Sequence, residues 1–482
     1  MINSKLIVRI IGVLLLIESS MLLCTSGVSY YYGGDDLSSF LLTTFVTTVA
    51  GLILILFSKG AEKELGRRDG YLVVCLSWLI VSLFGMIPFY HSGYIPSLTD
   101  AFFETISGFS STGSTILDNI EAFPHGLLFW RSLSQWIGGL GIIFFTIAVL
   151  PLLGVSSIQL FAAEATGPTH DKVHPRITVT AKWLWALYTG MTLLQTLLLY
   201  LGGMSFFDSI CHSFATTSTG GFSTKQASIA YYHSPYIEYV TSFFMILSGI
   251  NFTVLLLFIT GKFKKVLKNS ELKYYIGSVF LLTLIITVGL NYSADYDWEK
   301  AFRTAIFQIG SIHTSTGFIT DDYMQWKPFL WGILFIPMIV GACAGSTSGG
   351  FKCIRVVLLS KITRNEFKRI VHPNVVLQVK VNKQTIPSTI KTTLLAFSFV
   401  FIILVLVSTL LLMALGVDFL ESFGVVISSV SNMGPSFGQF GPSFSWSALP
   451  DAAKWISSFL MLAGRLELFT ILLFFTPGFW KG

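Results

Sequence analysis

The chain has 482 residues, 53% of them hydrophobic and only 12% charged, with a formal net charge of +6 at pH 7. A water-facing globular surface carries about a quarter charged residues, so this composition excludes an ordinary soluble protein and places the chain in the membrane class. It offers no feature of a nucleic-acid partner, and the expected fold is all-α and polytopic.

Ten apolar runs are long enough to cross a bilayer core, at 5–26, 39–58, 70–90, 127–152, 177–201, 236–260, 272–291, 329–357, 387–415 and 452–475. The first follows Lys5 and Arg9 but lacks a small-residue cleavage site, so it reads as a retained span. Leu23 before Cys24 is too large for a lipoprotein site. Cys24, Cys75, Cys211, Cys343 and Cys353 form no close Cys-x-x-Cys pair and read as packing residues.

The connections alternate in charge. KGAEKELGRRDG after the second run, Lys172 and Arg176 after the fourth, GKFKKVLKNSELK after the sixth, and 352–391 after the eighth are basic. On the other side lie only Lys225, Lys300, Arg303, Lys327 and Lys454. The positive-inside rule puts the basic side and both termini in the cytoplasm. Asp35, Asp36, Asp118, Asp295, Asp297, Asp321 and Asp322 collect outside, where acids concentrate cations.

Four outer loops share a pattern: DAFFETISGFSSTGST, FDSICHSFATTSTGGFST, FRTAIFQIGSIHTSTGFIT and ESFGVVISSVSNMGPS. Each has about ten mostly apolar residues, too few to span, then a polar turn with a glycine. The recurrence predicts a fourfold internal repeat of span, re-entrant half-helix, turn and span. Irregular backbone at membrane depth is tolerated where it lines a wet cavity, and its carbonyls can replace an ion's hydration shell. Asp100, Glu104, Asp208 and Glu421 lie near the half-helix N-termini, where negative charge is stabilising. His313 reads as a packing or hydrogen-bonding residue.

The turns, WIGGLGI at Trp136–Ile142 and GACAGSTSGG at Gly341–Gly350 resemble the Trk/Ktr/HKT superfamily of potassium transporters over nearly the whole chain. Two spans before the first repeat favour the Trk type. The resemblance implies four pseudo-symmetric helix–pore-loop–helix repeats around one pore. It divides the chain into 1–68 (two extra N-terminal transmembrane helices), 69–165, 166–262, 263–375 and 376–482. It places filter glycines at Gly113, Gly220, Gly317 and Gly434. Potassium ligands are then expected from the carbonyls of Ser111, Thr112, Ser218, Thr219, Ser315, Thr316, Asn432 and Met433. In plant relatives a Ser at the first glycine goes with sodium selectivity, so Gly113 implies potassium. SNMGPS is the least repeat-like turn.

The eighth run is a broken helix by composition, since Gly costs about 1 kcal/mol relative to Ala in a helix. Arg465 lies mid-run, where a charge faces a wet cavity or a partner. Glu467, about 200° further round a continuous helix, does not share its face. The resemblance implies that Gly345, Ser346, Thr347, Ser348 and Gly349 obstruct the pore below the filter and form a gate with Arg465. Arg131 is expected to snorkel or to contact an outer loop.

The resemblance also implies a homodimer in the lipid bilayer and a TrkA-type cytosolic nucleotide-binding subunit. The chain has no Walker motif or other cofactor site of its own, and potassium is its substrate. An intramembrane hydrolase using Ser346 or Ser348 lacks a base at the same depth. A potassium symporter coupled to protons or sodium is the alternative.

Overall fold

The computed structural model describes residues 2–60, 65–139, 141, 177–293, 296–382 and 384–480. It is an all-helical multi-pass membrane architecture, apart from Lys380–Val381 paired antiparallel with Gln384–Thr385. Six continuous helices are long and apolar enough to cross a membrane: Ser4–Tyr31, Leu37–Phe57, Arg68–His91, Ala181–Leu201, Ser270–Ser293 and Ser388–Ala414. The first two pack as a hairpin in which a β-carbon on Gly12 or Gly51 would come within 3.0 Å of the other's carbonyl oxygen. Small residues at a crossing let backbones approach in this way.

Two runs expected as single helices are instead bent. Pro235–Ser248 meets Phe252–Ile259 at 104°, and Asp451–Arg465 meets Leu468–Phe475 at 117°. The first break is built by Asn251, whose side chain accepts from Thr253 N at 2.8 Å and Val254 N at 3.3 Å and so starts a new helix. The second turns on Glu467, held at φ 61. Glu467 therefore does not lie on a continuous helix with Arg465, and the angular argument from the sequence is replaced by a kink.

The 329–357 run is broken as its glycines demand. Pro328–Val340 ends at Gly341 (φ 65), and a helix resumes at Cys353–Val371 after Lys352 (φ 72). Of the 127–152 run, helix His125–Gly139 is described, and it is almost wholly buried. The rest of that run, Leu140 and Ile142, Lys172, Arg176 and the 165/166 boundary lie outside the described residues.

Four short helices occupy the loops singled out by their glycines: Leu98–Phe109, Phe206–Thr217, Trp298–His313 and Phe419–Ser431. Twelve residues rise about 18 Å, well short of a bilayer core. Ser97 and Ser205 cap the first two by accepting from Asp100 N at 3.3 Å and Asp208 N at 3.0 Å. Asp100, Asp208 and Glu421 sit in first turns, where the helix dipole favours them. Glu104 does not: it lies further along its helix, 1% exposed, and serves an ion pair.

Candidate functional site

Each short helix ends in the same wrap. The N–H groups of Thr112, Gly220, Thr316 and Met433 each reach back five residues, to Ser107, Ala215, Ser311 and Ser428 carbonyls, at 2.8–2.9 Å. The residue before each has positive φ: Ser111 (53), Thr219 (54), Ser315 (57) and Asn432 (51). The residue after each is a positive-φ glycine: Gly113 (85), Gly221 (76), Gly317 (83) and Gly434 (98).

This register corrects one expected glycine. Gly221, not Gly220, corresponds to Gly113, Gly317 and Gly434. Gly220 takes the place of Thr112, Thr316 and Met433. Thr219 corresponds to Ser111, Ser315 and Asn432, and Ser218 falls one step earlier, with Ser110, Thr314 and Ser431.

The turns form a closed ring. A β-carbon on Gly113 would come within 3.0 Å of Gly220 O, one on Gly221 of Thr316 O, one on Gly317 of Met433 O, and one on Gly434 of Thr112 O. Each glycine therefore has to be a glycine twice over, for its φ and for the neighbouring carbonyl. The first and last turns are joined only through space. Asn432 Nδ2 donates to Thr112 Oγ1 at 3.0 Å, Ser114 Oγ to Gly434 O at 3.1 Å, and Trp446 N to Thr115 O at 2.8 Å. Lys454 Nζ pairs with Asp100 at 2.6 Å on the same seam. All four ring glycines line one open depression, with Arg131 and Lys225 in its wall.

Arg131 does not snorkel. It is 1% exposed, and its Nε bonds Glu104 Oε1 at 2.8 Å. Its other nitrogens donate to Ser223 O at 3.1 Å and Thr115 Oγ1 at 3.2 Å, and its Cζ stands 4.1 Å from the Phe222 ring centre. It ties the first turn to the second while Glu104 neutralises it. Nor do the outer acids line the depression. Asp36 accepts from Leu127 N at 2.8 Å, and Asp321 accepts from Tyr296 and Trp326, both at 3.0 Å. These two are structural; Asp295 lies outside the described residues. His313 is buried and bonds Ser278 at 2.8 Å.

Against the ring packs the 341–352 stretch. Gly349 N donates to Ser315 Oγ at 2.7 Å, and Ser348 Oγ stands 3.2 Å from the same hydroxyl. Thr347 Oγ1 donates to Thr217 O at 3.1 Å, and a β-carbon on Gly349 would strike Ser431 O. The stretch thus touches the second, third and fourth units. Arg465 supplies the link to the first: Nη1 donates to Thr347 O at 2.7 Å, and Nη2 to Gly139 O at 2.6 Å and to Gly138 O.

Further residues that no motif singles out also hold the stretch. Glu271 Oε1 accepts from Ala344 N at 2.6 Å and Ile354 N at 3.2 Å. Asn251 Nδ2 donates to Ala344 O at 2.6 Å, and Phe252 N to Gly345 O at 3.0 Å, so the Asn251 bend seats the stretch. Lys352 Nζ bonds Ser348 O, and Arg355 pairs with Glu467. Ser346 Oγ donates to Cys343 O at 2.6 Å.

Residues 37–481 match the TrkH family, described as cation transport protein. Over 482 residues, covering 99% of each chain, the sequence is 39% identical to the Trk system potassium uptake protein TrkH of Escherichia coli K12. It is 32% identical over 427 residues to TrkG of the same organism, covering 88% of each chain. The crystal structure of the potassium transporter TrkH from Vibrio parahaemolyticus matches with a TM-score of 0.90 at 35% identity, covering 100% of both chains.

Proposed function

We propose a transport role for this chain, which belongs to the TrkH family of cation transport proteins and is not an enzyme: it takes up potassium across a bacterial inner membrane through a channel-like path. The observation that carries this reading is the closed ring of four turns, with glycines 113, 221, 317 and 434 and the carbonyls of Thr112, Gly220, Thr316 and Met433. Backbone oxygens at such a ring replace the water that a potassium ion sheds. The four short helices point their C-terminal partial negative charge toward the same place. Ser111, Thr219, Ser315 and Asn432 precede the ring, with Ser218 one step further back; they shape the turn and extend the ligand set.

Below the ring, Gly345, Ser346, Thr347, Ser348 and Gly349 obstruct the path, and Arg465 holds them there and adds a positive barrier. Support comes from its bond to Thr347 O at 2.7 Å and from the loop's contacts with three of the four units. The chain reads as 1–68, a two-helix addition, followed by repeats 69–165, 166–262, 263–375 and 376–482, with both termini cytoplasmic. The relatives are named as parts of a Trk system, which fits a further subunit, read here as a TrkA-type cytosolic nucleotide-binding protein; the chain itself is read as a homodimer.

The test is flux of labelled rubidium into liposomes holding the purified chain. Uptake without any proton or sodium gradient supports the channel-like path. Uptake only with such a gradient makes the protein a symporter, and no cation flux from folded protein removes the reading.

A further inference from the structure

Three of the four ring positions carry a side chain that anchors its own turn. Thr112 Oγ1 lies 2.7 Å from Ser110 Oγ and accepts from Asn432. Thr316 Oγ1 lies 2.7 Å from Thr314 Oγ1, and Met433 is 1% exposed in the apolar core. Gly220 has nothing to anchor with. The space its side chain would take is filled from another unit: a β-carbon there would stand 2.5 Å from Gln135 Cδ, 2.7 Å from Oε1 and 2.8 Å from Nε2.

Gln135 is wholly buried on helix His125–Gly139, and its amide straddles Gly221. Nε2 donates to Gly220 O at 2.7 Å, and Oε1 accepts from Phe222 N at 3.0 Å. A nitrogen facing a carbonyl and an oxygen facing an N–H fix the amide's orientation without ambiguity. Gly220 O is also one of the four carbonyls facing a neighbouring ring glycine. Among the described residues, no bond from a protein donor reaches the other three.

We infer that Gln135 is a positioning residue that replaces the missing side chain of Gly220 and sets the radius of the second ring carbonyl, making it a determinant of cation choice. The inference rests on the ring being the ion path. A smaller ion such as sodium is well coordinated only if the carbonyls move inward. A carbonyl already held by a buried amide resists that movement, because drawing it in breaks a hydrogen bond with no water to replace it. Potassium, the larger ion, requires less of that movement.

The experiment compares labelled rubidium and labelled sodium flux in liposomes for the parent chain and for Gln135→Glu, Gln135→Ala, Gly220→Thr and the pair Gln135→Ala/Gly220→Thr. Gln135→Glu keeps the size and the acceptor for Phe222 N, and its buried carboxyl donates to Gly220 O only while protonated, so this variant is read at alkaline pH. It is expected to lower the rubidium-to-sodium ratio about tenfold, with thermal stability read alongside to separate a packing loss. Gly220→Thr alone is expected to be defective, and the paired variant to recover toward the parent, because the threonine then has the vacated space. A parental ion ratio in both Gln135→Glu and Gln135→Ala overturns the inference, as do Gly220→Thr and Gln135→Ala defects that simply add. Gly113→Ser, measured in parallel, separates the two readings. If it too leaves the ion ratio untouched in a transporting protein, the ring itself is not the filter.

Discussion

The turn-bearing halves of the four units are nearly copies of one another, whereas the stretches that follow the second, third and fourth turns are not. Above, one wrap recurs four times, with the same five-residue return bond and the same pair of positive φ angles. Below, the helix after the second turn bends by 104° at Asn251, the one after the third unwinds over 341–352, and the one after the fourth bends by 117° before Leu468. An ion at a ring meets all four turns at once, so a departure in any of them is felt. On the proposed reading, an obstruction under the ring needs only one strand of chain, and the bends at Asn251 and Glu467 help to seat it. Symmetry then follows where ligands converge, and asymmetry where a single stretch is held against the ring.

That contrast can be broken most severely at the ring. Gly317→Ala forces a β-carbon into left-handed backbone and against Met433 O, so rubidium flux is expected to fall by at least about tenfold, the equivalent of about 1.4 kcal/mol. Next comes the ion pair beside the depression. Arg131→Ala strands Glu104 in a dry site, and a loss of about 3–5 kcal/mol is expected in the thermal or denaturant stability of detergent-solubilised protein. The double change Arg131→Met/Glu104→Gln should return much of it. Arg465→Ala probes the asymmetric half. It removes bonds to Thr347, Gly139 and Gly138, and basal flux is expected to rise several-fold, with Arg465→Lys intermediate. The smallest effect belongs to Gly190→Ala on the lipid-crossing helix Ala181–Leu201, where a β-carbon meets nothing within 4 Å; stability should change by less than about 1 kcal/mol.

Composition and run length suffice to locate the continuous spans, because lipid imposes one rule on every residue of a span. The breaks were legible only where glycines cluster, as at 341–350. Asn251 and Glu467 break their helices through a side-chain cap and a single left-handed residue, and neither stands out in an apolar run. In the second turn, Ser-Thr-Gly at 218–220 imitates the triplets at 111–113 and 315–317, so the motif points to Gly220. The doublet that follows leaves two candidates, and only φ and the proximity of Thr316 O select Gly221. Arg131 meets the loop contact expected of it, through Thr115 and Ser223, but its burial and ion pair were not legible because Glu104 lies 27 residues away on another helix. Gln135 is hidden in the same way, since its contacts with Gly220 and Phe222 are more than 80 residues distant in sequence.

The seam between the first and last turns bears on how the protein is made. The bonds from Asn432 to Thr112 and from Ser114 to Gly434 each join residues 320 positions apart. Chains emerge from the ribosome N-terminus first, and contacts of such separation form late. A nascent chain bearing three turns has an arc with open ends, and only arrival of the fourth completes a ring. If the ring is the ion path proposed above, that path has no complete wall until the last repeat has been made.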